Sequence, residues 1–158
     1  MKNNIQKAVF ATGCFWGVEE NFFHTKGVID TKVGYAGGTK KNPTYEEVSS
    51  GKTGHTESVE VTFDPKVISY EELLDIFFQM HDPTTLNRQG PDVGTNYRSA
   101  IFYLDENQKK LAEETKVKHL KNLGKEIVTE IKPLDKFWPA EEYHQKYFLK
   151  HPNHGCPI

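Results

Sequence analysis

The chain has 158 residues and a formal net charge of −2, a length that fits one domain. Its ten Phe, seven Tyr and two Trp can fill a core without disulfides or metal, and no basic stripe or charged tail points to nucleic acid. No run approaches the ~20 apolar residues of a membrane span, and the start lacks the uninterrupted apolar stretch of a signal peptide, so a cytoplasmic protein with no membrane partner is expected.

Taken in chain order, the pattern predicts a strand over Ala8–Thr12, a helix from Cys14 to His24, and a strand over Ile29–Tyr35 that ends in Gly37-Gly38. A loop with Pro43 leads to a helical turn at Tyr45–Val48, followed by an alternating strand, Glu57–Phe63, stopped by Asp64-Pro65. The next helix, Tyr70–Met80, opens on Ser69-Tyr70-Glu71-Glu72, a capping-box pattern. A long irregular stretch from His81 to Tyr97 carries Arg88, Asp92, Asn96 and Tyr97 among glycines, with Arg98 just beyond it. Such loops are commonly functional. A strand at Ser99–Leu104, a helix at Glu106–Leu123 and a strand at Ile127–Ile131 follow, with a last helix expected to start near Pro139. The tail after Lys150 is rich in Pro and Gly. Strands alternating with helices predict an α/β or α+β sandwich with helices packed on one mixed sheet, and residues 1–158 read as a single domain.

Only two cysteines occur, Cys14 and Cys156, which is no secreted-domain disulfide framework. Gly13-Cys14-Phe15-Trp16-Gly17 sits where a strand ends and a helix begins. Unpaired N–H groups and the helix dipole there favour a thiolate; alternatively, Cys14 is a small core residue in an aromatic cluster. Phe15, Val18 and Phe22 recur at helical spacing, so part of this helix packs inward. The adjacent Trp16 cannot share that stripe, which puts Phe15 or Trp16 beside the sulfur as the wall of an apolar pocket.

In the strand Glu57–Phe63, Val59, Val61 and Phe63 share one parity and face the core. Glu57 has the same parity, so its carboxyl points to the buried side if the strand starts that early. Burial favours the protonated acid, which can give a proton or hydrogen bond to a substrate oxygen. Alternatively, pairing starts at Ser58 and Glu57 swings into solvent. Tyr45 and Tyr97 add phenol donors in loops, each also open to ordinary partial burial, and Asp92 can orient a donor.

These segments together resemble the A-class peptide-methionine sulfoxide reductases, which act on the S epimer. Gly13–Gly17 is similar to that family's signature pentapeptide. Further blocks match in order: Gly34–Gly38; Pro43 through Tyr45 and Ser50-Gly51 to Glu57; Asp82–Gly90; Asp92–Ser99; and Ala140–Tyr147. The resemblance implies a ferredoxin-like, two-layer α/β sandwich. It implies that Cys14 attacks the sulfoxide sulfur and that Phe15 and Trp16 hold the S-methyl group. Glu57 would protonate the oxygen with Tyr45 and Tyr97 as donors, and Asp92 would support the polar network. Oxygen transfer would leave a sulfenic acid on Cys14, which condenses readily with a nearby thiol.

Cys156, in the tail 150–158, reads as that resolving thiol, with a spectator thiol as the alternative, and the resemblance implies thioredoxin as reductant. Relatives often carry an aromatic residue between Gly and this Cys. Here the run is Gly155-Cys156-Pro157-Ile158. No cofactor is expected. His144, His151, His154 and Cys156 are zinc ligand types, but their spacing matches no standard finger. A thiol peroxidase is the alternative function, and a cysteine hydrolase lacks an evident His base. A non-catalytic module binding oxidised methionine would leave the thiols unexplained.

Overall fold

The computed structural model describes residues 5–150, the side chain of Phe148 excepted. β1 (Gln6–Ala11) leads into α1 (Phe15–Phe23), β2 (Val28–Ala36), the short α2 (Tyr45–Ser49), β3 (Thr56–Phe63) and α3 (Tyr70–Gln79). Next come two-residue strands β4 (Arg88–Gln89) and β5 (Asp92–Val93), then β6 (Ala100–Tyr103), α4 (Glu106–Leu123), β7 (Glu130–Pro133), β8 (Trp138–Pro139) and a final helical turn, α5 (Tyr147–Lys150).

Six strands form one sheet in the order β7-β6-β1-β3-β2-β8. Among the described residues only the β6–β7 pair is parallel, so the sheet is mixed. Alternation decides which face each side chain takes. Ala8 and Phe10 of β1, Val33 and Tyr35 of β2, Val59, Val61 and Phe63 of β3 and Ile101 of β6 meet the apolar stripes of α1, α3 and α4 in one core. Phe10 lies at its centre, with ring centroids 5.3 Å from both Phe22 and Phe77. Truncating such a ring to alanine costs about 3–5 kcal/mol. The opposite face carries a smaller cluster, Val9, Ala11, Ala36, Ala100 and Phe102, covered by Leu134 and Phe137. This is the expected α+β sandwich of two layers.

Local chemistry sets the helix ends. Ser69 and Glu72 form the expected capping box of α3. Thr44 and Glu47 form a second one on α2, which fixes a helix too short to persist alone. Asp105 caps α4, and Gly124, at φ 66°, ends it in the left-handed conformation.

Three segments differ from the sequence expectation. Pro139 does not start a helix: it belongs to edge strand β8, opposite Gly34, a place where a missing N–H is tolerated. The chain then makes a 3-10 turn, Glu142–His144, before α5. The strand expected at Ile127–Ile131 pairs three residues later, as β7. Inside the stretch 81–97, β4 and β5 form a small antiparallel hairpin.

Candidate active site

Gly13 has φ +117°, a conformation open to glycine at little cost. It turns the chain out of β1 so that Cys14 becomes the N-cap of α1. Cys14 is partly exposed, and its carbonyl accepts from Val18 N–H at 3.4 Å. Its sulfur therefore stands at the positive end of a nine-residue helix. The β4–β5 hairpin packs beside it. A Cβ on Gly13 would come within 3.0 Å of the Gln89 side chain, and Gln89 is held to Asp82 by hydrogen bonds in both directions.

The stretch 81–97 is anchored by His81, whose Nδ1 donates to Phe77 O at 2.7 Å and whose Nε2 meets Ser99 Oγ at 2.8 Å. Because a carbonyl only accepts, the proton sits on Nδ1 and Ser99 donates to Nε2. Burial pushes the His81 pKa down to about 4, against the opposing effect of the Phe77 bond.

Glu57 pairs with Tyr35 in the β2–β3 ladder, so β3 starts early enough to turn the carboxyl inward. It is 1% exposed. Its Oε1 accepts from Phe15 N–H, the first residue of α1, at 3.2 Å, whereas Oε2 is buried without a hydrogen-bond partner among the described residues. Burial pushes its pKa well above the ordinary carboxylate range; charge on Cys14 and, more weakly, on Asp92 adds to this, and the Phe15 bond opposes it. Burial thus favours the protonated form of Glu57, whose Oε2 can carry the proton.

Two phenols share this field. Burial raises the pKa of Tyr45, and Glu57 adds to the effect while a bond to Ser49 opposes it. Burial, Glu57, Tyr45, Asp92 and Cys14 all raise Tyr97. Both remain protonated donors. Tyr97 is carried by the 3-10 turn Thr95–Tyr97. Thr56 next to Glu57 ties that turn down by donating to Asn96 O at 3.0 Å. Asp92, at the start of β5, is raised by partial burial.

The apolar side follows from α1. Phe15 is buried, and Trp16 lies partly open beside the core, so it is Trp16 that stays partly open beside the sulfur. Trp16 Nε1 donates to His144 Nδ1 at 3.0 Å. Its ring stacks on Tyr147 at 3.8 Å and 7° and lies parallel to Tyr45 at 6.5 Å and 10°. His144, 2% exposed, is kept neutral by burial, as its acceptor role requires.

The fold therefore brings Cys14, Phe15, Trp16, Tyr45, Glu57, Asp92 and Tyr97 into one region. Cys156, His151 and His154 lie outside the described residues. His144 spends Nδ1 on Trp16, and among the described residues no group of three or more His, Cys, Asp or Glu side chains is placed to hold a metal ion. In the sequence, His144 is marked only as a metal-ligand type, and Glu141 and Gln145 carry no mark of a role. The only signal was their place in the matched block Ala140–Tyr147.

A cysteine at a helix N-terminus, a buried carboxyl within its electrostatic reach and an aromatic wall alongside suit a thiol-dependent oxidoreductase. The chain belongs to the peptide methionine sulfoxide reductase family, whose match covers residues 6–158. A peptide methionine sulfoxide reductase MsrA of Nautilia profundicola is 58% identical over 93% of this chain and 84% of its own length. Among solved structures, reduced Mxr1 of Saccharomyces cerevisiae superposes with a TM-score of 0.92 at 38% identity, covering 97% of this chain and 89% of that one. Methionine sulfoxide reductase A of Corynebacterium diphtheriae also gives 0.92, at 41% identity, covering 99% and 79%. Mxr1 has further been solved in complex with Trx2 (TM-score 0.66, 28% identity, covering 100% and 92%).

Proposed function

We propose that this enzyme reduces the S epimer of methionine sulfoxide, free or in proteins, to methionine and so repairs oxidised proteins. The observation that carries the reading is the buried carboxyl of Glu57, whose Oε2 lacks a partner among the described residues, in the field of the Cys14 sulfur. A sulfoxide is electrophilic at sulfur, but its oxygen leaves poorly. The Cys14 thiolate attacks the sulfur while Glu57 delivers its proton to the oxygen, and the Tyr45 and Tyr97 hydroxyls stabilise the charge developing there. Phe15 and Trp16 receive the S-methyl group, and Asp92 supports the polar side. With an apolar notch on one side and acids on the other, only one epimer presents its oxygen to the donors.

Oxygen passes to Cys14, which is oxidised by two electrons to a sulfenic acid as the sulfoxide is reduced by two to methionine. The Cys156 thiol then displaces water to form an intramolecular disulfide. A thioredoxin dithiol reopens it by exchange, a partner suggested by the Mxr1–Trx2 complex. No cofactor enters these steps. We take residues 1–158 as one catalytic domain, with 150–158 as the tail that carries Cys156. The cytoplasm, where such thiols are kept reduced, is its proposed location.

The several donors and the aromatic wall disfavour the thiol peroxidase alternative, because a peroxide needs neither. The test is an assay of each epimer of a blocked methionine sulfoxide with dithiothreitol and then thioredoxin. Turnover of the S epimer alone, abolished in Cys14→Ser, is expected; equal turnover of both epimers would overturn the reading.

A further inference from the structure

Glu141 joins the two tyrosines that flank Phe15. Its Oε1 accepts from the Tyr35 hydroxyl at 2.9 Å, and its Oε2 accepts from the backbone N–H of Tyr45 at 3.1 Å. Tyr35 and Tyr45 have ring centroids 5.8 Å and 6.2 Å from that of Phe15. One carboxylate thus ties strand β2, the first residue of α2 and the C-terminal segment together.

The base of this tie is rigid. Ala140 N–H donates to Val33 O at 2.9 Å, and the Gln145 side chain both accepts from Val33 N–H and donates to Val33 O, each at 2.9 Å. Lys146 N–H then donates to buried Glu19 at 2.6 Å, whose other oxygen accepts from Thr31 at 2.8 Å. Both ends of the turn that carries Glu141 are therefore pinned to β2 and α1. From α2 itself Tyr45 receives the Thr44 cap, one turn of helix and a side-chain bond to Ser49 at its end, and a helix this short does not persist without outside support. Burial opposes the Glu141 anion, and the bonds from Tyr45 and Tyr35 outweigh it, holding its carboxyl below the usual range. Glu141 is thus an ionised acceptor for both donors.

We propose that Glu141 is a positioning residue for sulfoxide reduction: it sets the place of Tyr45, and through Tyr45 the hydrogen bond to the sulfoxide oxygen. The inference rests on the role proposed above for Tyr45. It makes the C-terminal segment part of the oxygen-transfer step as well as the carrier of the second thiol.

The experiment is a double-mutant cycle on single-turnover methionine release from the S epimer, without external reductant, in Glu141→Gln, Tyr45→Phe and the double variant. Substrate affinity is measured in parallel in a Cys14→Ser background. We expect each single change to slow release about tenfold, the range in which small misplacements act. We expect the double variant to be no slower than Tyr45→Phe and affinity to change by less than about twofold, because the interaction is made in the transition state. Unchanged release in Glu141→Gln, or a multiplicative loss in the double variant, overturns the role of Glu141 while leaving that of Tyr45 intact. Unchanged release in Tyr45→Phe overturns the role of Tyr45 and this inference with it. Glu141→Asp, which keeps the charge and withdraws it by one methylene, serves the same cycle if the Gln variant does not fold.

Discussion

Glu57 Oε1 accepts a hydrogen bond from Phe15 N–H at 3.2 Å, and its buried Oε2 has no partner among the described residues. The first residue of the helix that Cys14 caps thus also orients this carboxyl. One oxygen is held by the backbone and the other is left for a proton. Glu57→Gln keeps the shape and removes the acid. Methionine release in a single turnover should slow about 100-fold or more, in the range of a lost general acid or oxyanion donor. The pH profile should change as well. Because burial raises the folded pKa, the acid form persists to higher pH than in an ordinary carboxyl and is lost as pH rises through that raised value. Wild-type rate should therefore fall on the alkaline side, and the Gln variant should lack that limb.

The aromatic wall makes a separate prediction. Trp16 is fixed by His144 and by stacking on Tyr147. Trp16→Ala removes the surface that would contact the S-methyl group. Its kcat/KM on the S epimer should fall about 10–200-fold, the usual worth of one methyl-sized contact in an apolar pocket. Steady-state kinetics on both epimers measures this, and discrimination between them should narrow.

Much of this was legible in the residues. The parity of Glu57 with Val59, Val61 and Phe63 turned its carboxyl inward, because period-two geometry is local. Cys14 was legible for the same reason, since a glycine at a strand end before an amphipathic helix defines an N-terminus. The segment after Pro139 was not legible. Its shape comes from long-range bonds, Ala140 and Gln145 to Val33 and Glu141 to Tyr35 and Tyr45, which leave no periodicity in the chain. The β4–β5 hairpin was missed because two residues per strand cannot show alternation. Pro139 suited a first helical turn, but a sheet edge accepts it equally well.

The tail can be tested apart from the site. Cys156→Ser should release one equivalent of methionine at the normal rate and then stop with thioredoxin, because the sulfenic acid on Cys14 has no second thiol to form the disulfide that thioredoxin opens. Rapid-quench measurement of the burst checks this. Full steady-state activity with thioredoxin would remove Cys156 from the cycle.

His81 gives the fold a pH dependence. Its folded pKa is pushed down to about 4, whereas the unfolded chain titrates near the ordinary His value of about 6.5. The unfolded state binds more protons between these values, so stability is full above about 6.5 and is lost as pH falls through about 4, by about 3 kcal/mol. Thermal melting between pH 7 and 4 should show this decline, and His81→Asn should flatten it.

The most direct measurement is to trap the sulfur itself. Cys156→Ser enzyme is mixed with one equivalent of S-epimer substrate and a sulfenic-acid reagent, then mapped by mass spectrometry. One methionine released for each adduct on Cys14 is the predicted result. Methionine released with Cys14 unmodified would contradict the account.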